Sequence, residues 1–346
     1  MFTISQITNN TIHVKKINQE LVKQSLKIMR VGTKSMIASA TGLSVTTCSN
    51  ILKEFLETGE VIETEMEQLS GGRPARSFVY NSDFAYIACI SAISEGGQQA
   101  LAYTVANLSG DTVDHGFFNV ELADATAIDQ LFQSLITEYP EIKAAGIGIP
   151  GVVHQGVINV CDIPELVNVP LAAQLEEKYE IEVIVDKDMN YTVYGFFREQ
   201  NYDEDKTIVV LNFPRDHIPG AGMMIGGHVH RGATQFAGET SFLPFGISRK
   251  DQLIQLHNQS TFYPIAAKTM MSLITVINPD TVALTGDLAK EEYIEGIYQL
   301  CLEVIPQEHM PTIIMLDHPR DHYMRGLISV TLESLSYNLK LVEKRR

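Results

Sequence analysis

Cysteine is scarce in this 346-residue chain, and none of its four copies is placed to work with another: Cys48, Cys89, Cys161 and Cys301 form no C-x-x-C and no Cys/His pair at metal-ligand spacing. That pattern argues against a disulfide scaffold and a thiolate zinc site, and reads as reduced core residues. Long apolar runs are missing as well. No stretch approaches the roughly 18 uninterrupted apolar residues that a membrane helix needs. The opening MFTISQITNN lacks the basic flank, apolar run and small-residue cleavage site of a secretory signal, so the expected location is the cytoplasm, with no membrane partner. Charge is low too. With 20% charged against 45% hydrophobic residues the chain should fold, and its length suggests two or three domains rather than one core.

The net charge of −16 is unevenly spread. Up to residue 53 there are seven basic residues (Lys15, Lys16, Lys23, Lys27, Arg30, Lys34, Lys53) against Glu20 alone, which leaves the remainder at −22. Phosphate contacts are local, and a distant acidic domain is screened beyond a Debye length of about 8 Å, so a basic attachment module on an acidic body is one reading. A solvated helix face is the other.

Within that segment, apolar residues at 21, 22, 26, 28 and 29 predict a helix over residues 18–29, and 33–40 reads as a short second one. After a Thr41-Gly42-Leu43 turn, Ser44 is a candidate N-cap for a third helix in which Val45, Cys48, Leu52 and Phe55 fall at helical spacing on one face. Its opposite face gathers Thr46, Thr47, Asn50 and Lys53, side chains that reach base edges and phosphates. Residues 60–63 and 77–80 then read as strands around a Ser70-Gly71-Gly72-Arg73-Pro74-Ala75-Arg76 tip. Three helices and a hairpin make a winged helix-turn-helix, though a packing module with solvated polar residues would look similar. The tip favours DNA: Arg73 and Arg76 are guanidiniums that apolar packing does not require, and arginines on such a loop can enter a minor groove.

From about residue 83 short β-branched runs (86–93, 100–108, 144–149, 183–185, 207–211, 282–284) alternate with helical stretches near 124–137, 171–179, 191–200 and 264–277. Two α/β lobes with a cleft between them are the expected packing, organised as a winged helix-turn-helix over 1–82, a first lobe over 83–200, and a second over 201–346 whose final helix returns to the first. Four stretches could carry chemistry. Gly146-Ile147-Gly148-Ile149-Pro150-Gly151 is a strand entering a tight turn. In Asp186-Lys187-Asp188-Met189-Asn190 an apolar strand ends in carboxylates, where a sugar hydroxyl would be held or deprotonated; a plain helix cap by Asp188 is the bland alternative. Residues 219–227 form a glycine-dense hairpin, which would let backbone N–H groups approach an anion or simply make a β-turn. Residues 231–239 end in Gly238-Glu239.

In this order the segments resemble the ROK (repressor, open reading frame, kinase) family, in particular its members with a DNA-binding domain. Gly148-Ile149-Pro150-Gly151 with Gly156-Val157 is similar to the family's G-x-P-G…G-x-V, Asn168-Val169-Pro170-Leu171 to N-x-P-L, and Asp186-Lys187-Asp188-Met189-Asn190 to E-N-D-x-N. Gly220-Ala221-Gly222 stands in for the second phosphate loop, Ala237-Gly238-Glu239 for A-G-E, and Asn278-Pro279-Asp280…Thr285-Gly286 for N-P-[ED]…G-G. The resemblance implies a two-lobed fold of the actin-like ATPase/hexokinase type, with Asp188 as base and sugar ligand. It further implies Glu239, Asn168 and Asn190 at the sugar.

The departures point away from catalysis. Where sugar kinases open with D-x-G-G-T, this chain has Ile93-Ser94-Glu95-Gly96-Gly97-Gln98, so Gly96 and Gly97, with Gly220 and Gly222, are remnants of phosphate loops. The family's zinc motif, G-E-x-G-H followed by clustered cysteines, reads Gly238-Glu239-Thr240-Ser241-Phe242 here and has no cysteine after Cys161 until Cys301. Lys187 replaces an asparagine, placing an ammonium where it could neutralise Asp188 or recognise an acidic or phosphorylated ligand. The expectation is a transcriptional regulator of carbohydrate-related genes, a repressor, with neither zinc nor ATP as cofactor. It would act as a homodimer or homotetramer on a double-stranded operator and answer to a sugar, a sugar phosphate or a protein partner. An active ATP-dependent sugar kinase that also regulates transcription is the alternative.

Overall fold

The computed structural model describes residues 4–66 and 75–335. The N-terminal module contains α1 (Ile4–Met29), β1 (Val31–Thr33), α2 (Lys34–Thr41), α3 (Val45–Thr58), β2 (Val61–Met66) and β3 (Ala75–Tyr80). The first helix starts well before the predicted residue 18, and β1 was not expected; it adds an edge to the hairpin in a sheet ordered β1-β3-β2. Local rules set the turn between α2 and α3. Gly42 closes α2 in the left-handed region at φ 71°, a backbone geometry that costs glycine nothing, and the Ser44 hydroxyl accepts the Thr47 amide at 3.0 Å to start α3. Val22, Leu26, Ile37, Cys48, Leu52, Phe55 and Phe78 form the core beneath.

The body has two sheets. The first uses β4 (Tyr86–Glu95), β5 (Gln98–Asn107), β6 (Thr112–Val120), β7 (Ile142–Ile149) and β10 (Glu182–Lys187) in the order β10-β7-β4-β5-β6. Helices α4 (Ala125–Glu138) and α5 (Leu171–Tyr179) and the small hairpin β8 (Gly151–His154) and β9 (Val157–Cys161) lie between these strands in sequence. The second sheet uses β11 (Ile208–Asn212), β12 (Gly220–Ile225), β13 (His228–Val229), β14 (Thr281–Thr285) and β15 (Thr312–Met315) in the order β13-β12-β11-β14-β15. Each sheet places an antiparallel three-strand meander beside two parallel strands, so the halves repeat one topology. Helices α6 (Asp188–Glu199), α7 (Arg249–Leu256), α8 (Gln259–Ile277), α9 (Ile294–Leu302) and α10 (Pro319–Leu335) complete the fold.

Helix α6 joins the halves. Its Met189, Val193, Phe196 and Phe197 pack on the second sheet with Ile208, Val210 and Ala283, while Tyr191 belongs to a cluster with Ile87, Cys89 and Ala144 of the first and Leu327 of α10. Glycines allow the approach. A Cβ at Gly195 would collide with the His322 carbonyl oxygen, and one at Gly326 with that of Tyr191, so α6 and α10 touch backbone to backbone. The Gly146 and Gly148 stretch has the same purpose: side chains there would strike Thr331 and Tyr323 of α10. This glycine run is a helix seat.

One joint between the module and the body lies at the turn after β5. The Lys27 ammonium donates to the Leu108 carbonyl at 3.1 Å and lies 4.7 Å from the centre of the Tyr80 ring, and burial lowers its pKa. Gly195→Ala and Gly326→Ala should each destabilise the protein by about 3 kcal/mol through overpacking, against a gain of only ~1 kcal/mol in helix propensity. Thermal denaturation checks this, and a variant melting at or above the wild type would show that the crossing is looser.

Candidate functional site

Two regions carry the residues singled out in the sequence. On α3, Thr46, Asn50 and Lys53 are exposed along one face, while Thr47 is half-buried and its hydroxyl lies 2.8 Å from that of Ser44 within the cap. Lys53 reaches Glu57 at 3.8 Å, and the exposed Arg76 on β3 lies 3.2 Å from Glu63. Both pairs are exposed, so each contributes within about 1 kcal/mol and can be exchanged for a phosphate. Arg73 and the Gly71-Gly72 tip fall outside the described residues.

The second region is the cleft, built where β10 runs into α6. The two carboxylates flanking Lys187 have different environments. Asp186 is buried and fully engaged: its Oδ1 accepts the Lys187 amide at 2.7 Å and the Asn190 side-chain amide at 2.7 Å, and its Oδ2 accepts Nε and Nη2 of Arg231, both at 2.8 Å. Asn190 is therefore a buried strut whose amide is taken. Asp188 accepts only the adjacent Met189 amide, at 2.6 Å. It occupies the first helical position rather than the cap, which is Lys187, so the helix-cap reading does not describe it. Desolvation lifts its pKa from 3.8 to about 7; the Met189 hydrogen bond and the Lys187 charge pull the other way, and Asp162 and Glu239 add to the rise.

Lys187 itself is buried and turned from Asp188, donating to Glu239 Oε1 at 3.1 Å and the Ala237 carbonyl at 2.9 Å. Its ammonium is thus neither the partner of Asp188 nor a free cation for an acidic ligand. Glu239, half-buried at the end of the 231–239 stretch, is held toward the cleft by this pair. Asn168 is exposed at φ 67° on the loop before α5; its backbone N–H meets the Ile158 carbonyl at 2.7 Å, and among the described residues no hydrogen bond joins its side chain to the cleft.

The glycines compared with phosphate loops have definite positions. Gly96 and Gly97 form the β4–β5 turn at φ 61° and 72°, and the Gly96 amide donates to the Asp216 carboxylate at 3.0 Å. An anion from the other half already lies on that N–H. Gly220 and Gly222 are strand residues of β12 paired with Asn212 and Val210, and a Cβ at Gly222 would strike the Met189 carbonyl. Gly222 therefore lets α6 approach the second sheet. Beside Asp216, His217 bridges the halves, with Nε2 2.8 Å from the Ser94 carbonyl and Nδ1 3.3 Å from Asp162. Burial raises the Asp162 pKa, which His217 and Arg249 counter.

Asp162, Asp216, His217, Arg231 and Arg249 were not singled out in the sequence because they come from loops and from the start of α7, whose approach depends on how the two sheets face each other. The one local hint is Asp216-His217 between two prolines, Pro214 and Pro219, directly after a strand. Among the described residues no group of His, Cys, Asp and Glu could hold a metal ion, and no helix is long and apolar enough to cross a membrane.

Residues 92–248, which contain the whole cleft cluster from Asp162 to Glu239, match the model of the ROK family. That stretch is similar to the ROK family. A xylose repressor of Caldicellulosiruptor bescii is 25% identical over 244 residues, 67% of this chain and 59% of that protein. A xylose repressor of Bacillus subtilis (strain 168) is 25% identical over 240 residues, 65% of this chain and 60% of that protein. The chain thus spans about three fifths of the length of these curated relatives. Among solved structures, a ROK family transcriptional regulator described as a homolog of the E. coli MLC protein superposes with a TM-score of 0.65 at 15% identity, covering 93% of this chain and 100% of that one. A ROK hexokinase from Thermus thermophilus gives 0.57 at 17% identity, covering 72% and 99%. The fold of the ROK domain is the two-lobed actin-like ATPase type shared by these regulators and sugar kinases.

The raised Asp188 pKa gives the ROK domain a pH signature. Between pH 3.8 and about 7 this carboxyl binds more protons folded than unfolded, so its contribution to stability is full at low pH and is lost as pH rises through 7. Asp188→Asn removes that loss. Its unfolding free energy should gain on the wild type from pH 4 to 7 and then level off, reaching on the order of 2 kcal/mol at about 1.4 kcal/mol per unit, discounted for water reaching the cleft, with the melting temperature following it. A pH-independent offset would show that the carboxyl is not raised.

Proposed function

We propose that the protein is a sugar-responsive, DNA-binding transcriptional repressor whose ROK domain senses a ligand without phosphorylating it. The observation that carries this reading is the exposed polar face of α3, with Thr46, Asn50 and Lys53, on a winged module tied to the ROK domain through Lys27 and Leu108. A recognition helix of this kind enters a major groove and reads base edges with its amide and hydroxyls, while Lys53 and Arg76 meet phosphates. The relatives named as xylose repressors support the same conclusion. A homodimer or homotetramer would set two such helices about 34–36 Å apart on successive turns of a double-stranded operator.

In the cleft, Asp188 and Glu239 accept ligand hydroxyls, and closure of the halves on the ligand changes the geometry of the attached module. Phosphoryl transfer requires a preorganised clamp on the transferring phosphate. Here the Gly96 amide points at the Asp216 carboxylate, whose charge repels phosphate, so the reading includes neither ATP nor zinc as a cofactor. One observation favours the alternative of an active sugar kinase: a carboxyl lifted to about 7 is tuned for a general base at neutral pH.

Fluorescence anisotropy on the protein's own upstream DNA tests the proposal. Selective binding should weaken with salt and be released by a sugar. Asn50→Ala should cost about 1–3 kcal/mol and relax selectivity at one base pair, whereas Lys53→Ala should weaken all sequences alike and reduce the salt slope by about 1. Absence of selective binding at any salt overturns the repressor reading. ATP turnover with a hexose, abolished by Asp188→Asn, would establish the kinase instead.

A further inference from the structure

Helix α1 carries an apolar stripe that is left open among the described residues. Val14, Leu21 and Ile28 follow one another at intervals of seven residues and are 50%, 38% and 84% exposed. At about 100° per residue they lie within roughly 40° of one another around the helix, with half-buried Ile17 and exposed Gln24 beside them. In the sequence Ile7 continues the interval. The stripe is separate from the face that builds the module, where Val22 and Leu26 are buried with residues of α2, α3 and β3. Charges on the helix are turned elsewhere: Lys15 meets Glu54 of α3 at 2.9 Å, Lys23 pairs with Glu60, and Lys27 reaches the Leu108 carbonyl of the body at 3.1 Å. Between residues 14 and 29, the arc of about 120° from Gln24 round to Asn18 contains no charged residue. A solvated helix face is normally polar or charged, so three large aliphatic side chains aligned in water mark a missing partner.

The interval identifies the partner as a helix. A straight helix drifts by about 20° over seven residues, so a strict seven-residue repeat stays against a neighbour only when that neighbour is a second helix and the two coil together. A second copy of this chain supplies the same uncharged stripe under two-fold symmetry, and no unpaired charge is buried between the two. We propose that α1 packs lengthwise and in parallel against α1 of a second copy, along Val14, Leu21 and Ile28. Two of these three positions are β-branched, which suits a two-stranded parallel pair, and Gln24 meets its own counterpart and fixes the register. The inference rests on the repressor reading above and deepens it: the helix that joins the copies belongs to the module that carries α3, so the spacing of the two recognition helices is set within the modules themselves.

Sedimentation equilibrium of the full chain tests the interface. The wild type should sediment at twice the mass of one chain, and Ile28→Glu should weaken self-association ten-fold or more while leaving the melting temperature unchanged, since the position is exposed in the single chain. Gln24→Cys should give a disulfide-linked pair on mild oxidation, with Cys48, Cys89 and Cys301 buried and Cys161 half-buried. On DNA, Ile28→Glu should lose ten-fold or more in affinity for a fragment with two half-sites and stay within about two-fold of the wild type on one half-site. A monomeric wild type, a dimer that persists in Ile28→Glu, or no cross-link through Gln24→Cys overturns the interface, and selective DNA binding by the same protein then leaves the repressor reading intact. A dimer that responds to Ile28→Glu and Gln24→Cys as expected upholds the interface, even where a failure to bind DNA selectively overturns the repressor reading.

Discussion

The contact on which the rest of the structure depends is the crossing of α6 and α10 at Gly195 and Gly326, where two helices meet without side chains between them. Each sheet is covered on both faces, and α6 serves one face of each: its N-terminus leaves the first sheet at Lys187 with Tyr191 packed on that sheet, while its other apolar residues cover the second. Only a thin crossing permits α10 to lie on α6 and on β7 at once. The glycines at 146, 148 and 222 follow from the same constraint: each removes a Cβ where a helix presses on a strand. The same packing directs the start of α6 into the cleft, so the position of Asp188 is a consequence of how the halves are joined.

That constraint explains what could be read from the sequence. Within the winged module the turn between α2 and α3 was legible, since its signals are local: Ser44 as a cap, Gly42 as a stop, and a period-3.6 face from Cys48 to Phe55; β1 and the start of α1 at Ile4 were not. Strands β4, β5, β7 and β10 of the first sheet were legible from their β-branched runs while β6 was not, and the cluster at 186–190 was legible from carboxylates ending an apolar strand. The tertiary purpose of the glycines was not legible. A Gly-x-Gly reads identically whether it receives a phosphate or a helix, and only the partner, far along the chain in α10, decides between them. Lys187 failed for a related reason. Adjacent residues of an extended segment point to opposite sides, so the ammonium nearest Asp188 in sequence serves Glu239 instead.

Charge shows the same division between local and long-range information. The excess of basic residues up to residue 53 is real, yet Lys15, Lys23 and Lys53 each meet a glutamate from α3 or the turn after it. The acidic wing strand is likewise partly balanced, since Glu63 faces Arg76. The Lys15, Lys53 and Arg76 pairs are exposed, weak and readily exchanged for phosphate, whereas Lys23 and Glu60 are half-buried against the module. Within the cleft the pairs are more buried and their geometry is more binding. Asp186 with Arg231 and Asn190 forms a rigid floor beneath Asp188, and removing one member would leave a desolvated charge.

The body and the module are connected by contiguous packing. Helix α10 runs from the α6 crossing to the turn after β5, where Ile328 and Leu332 lie beside Gly110. Two residues earlier, the carbonyl of Leu108 takes the Lys27 ammonium of α1. Burial lowers the pKa of Lys27, so its hydrogen bond sits in a low-dielectric joint and is stronger for it. Contiguous packing thus runs from α6 through α10 to the turn that anchors α1.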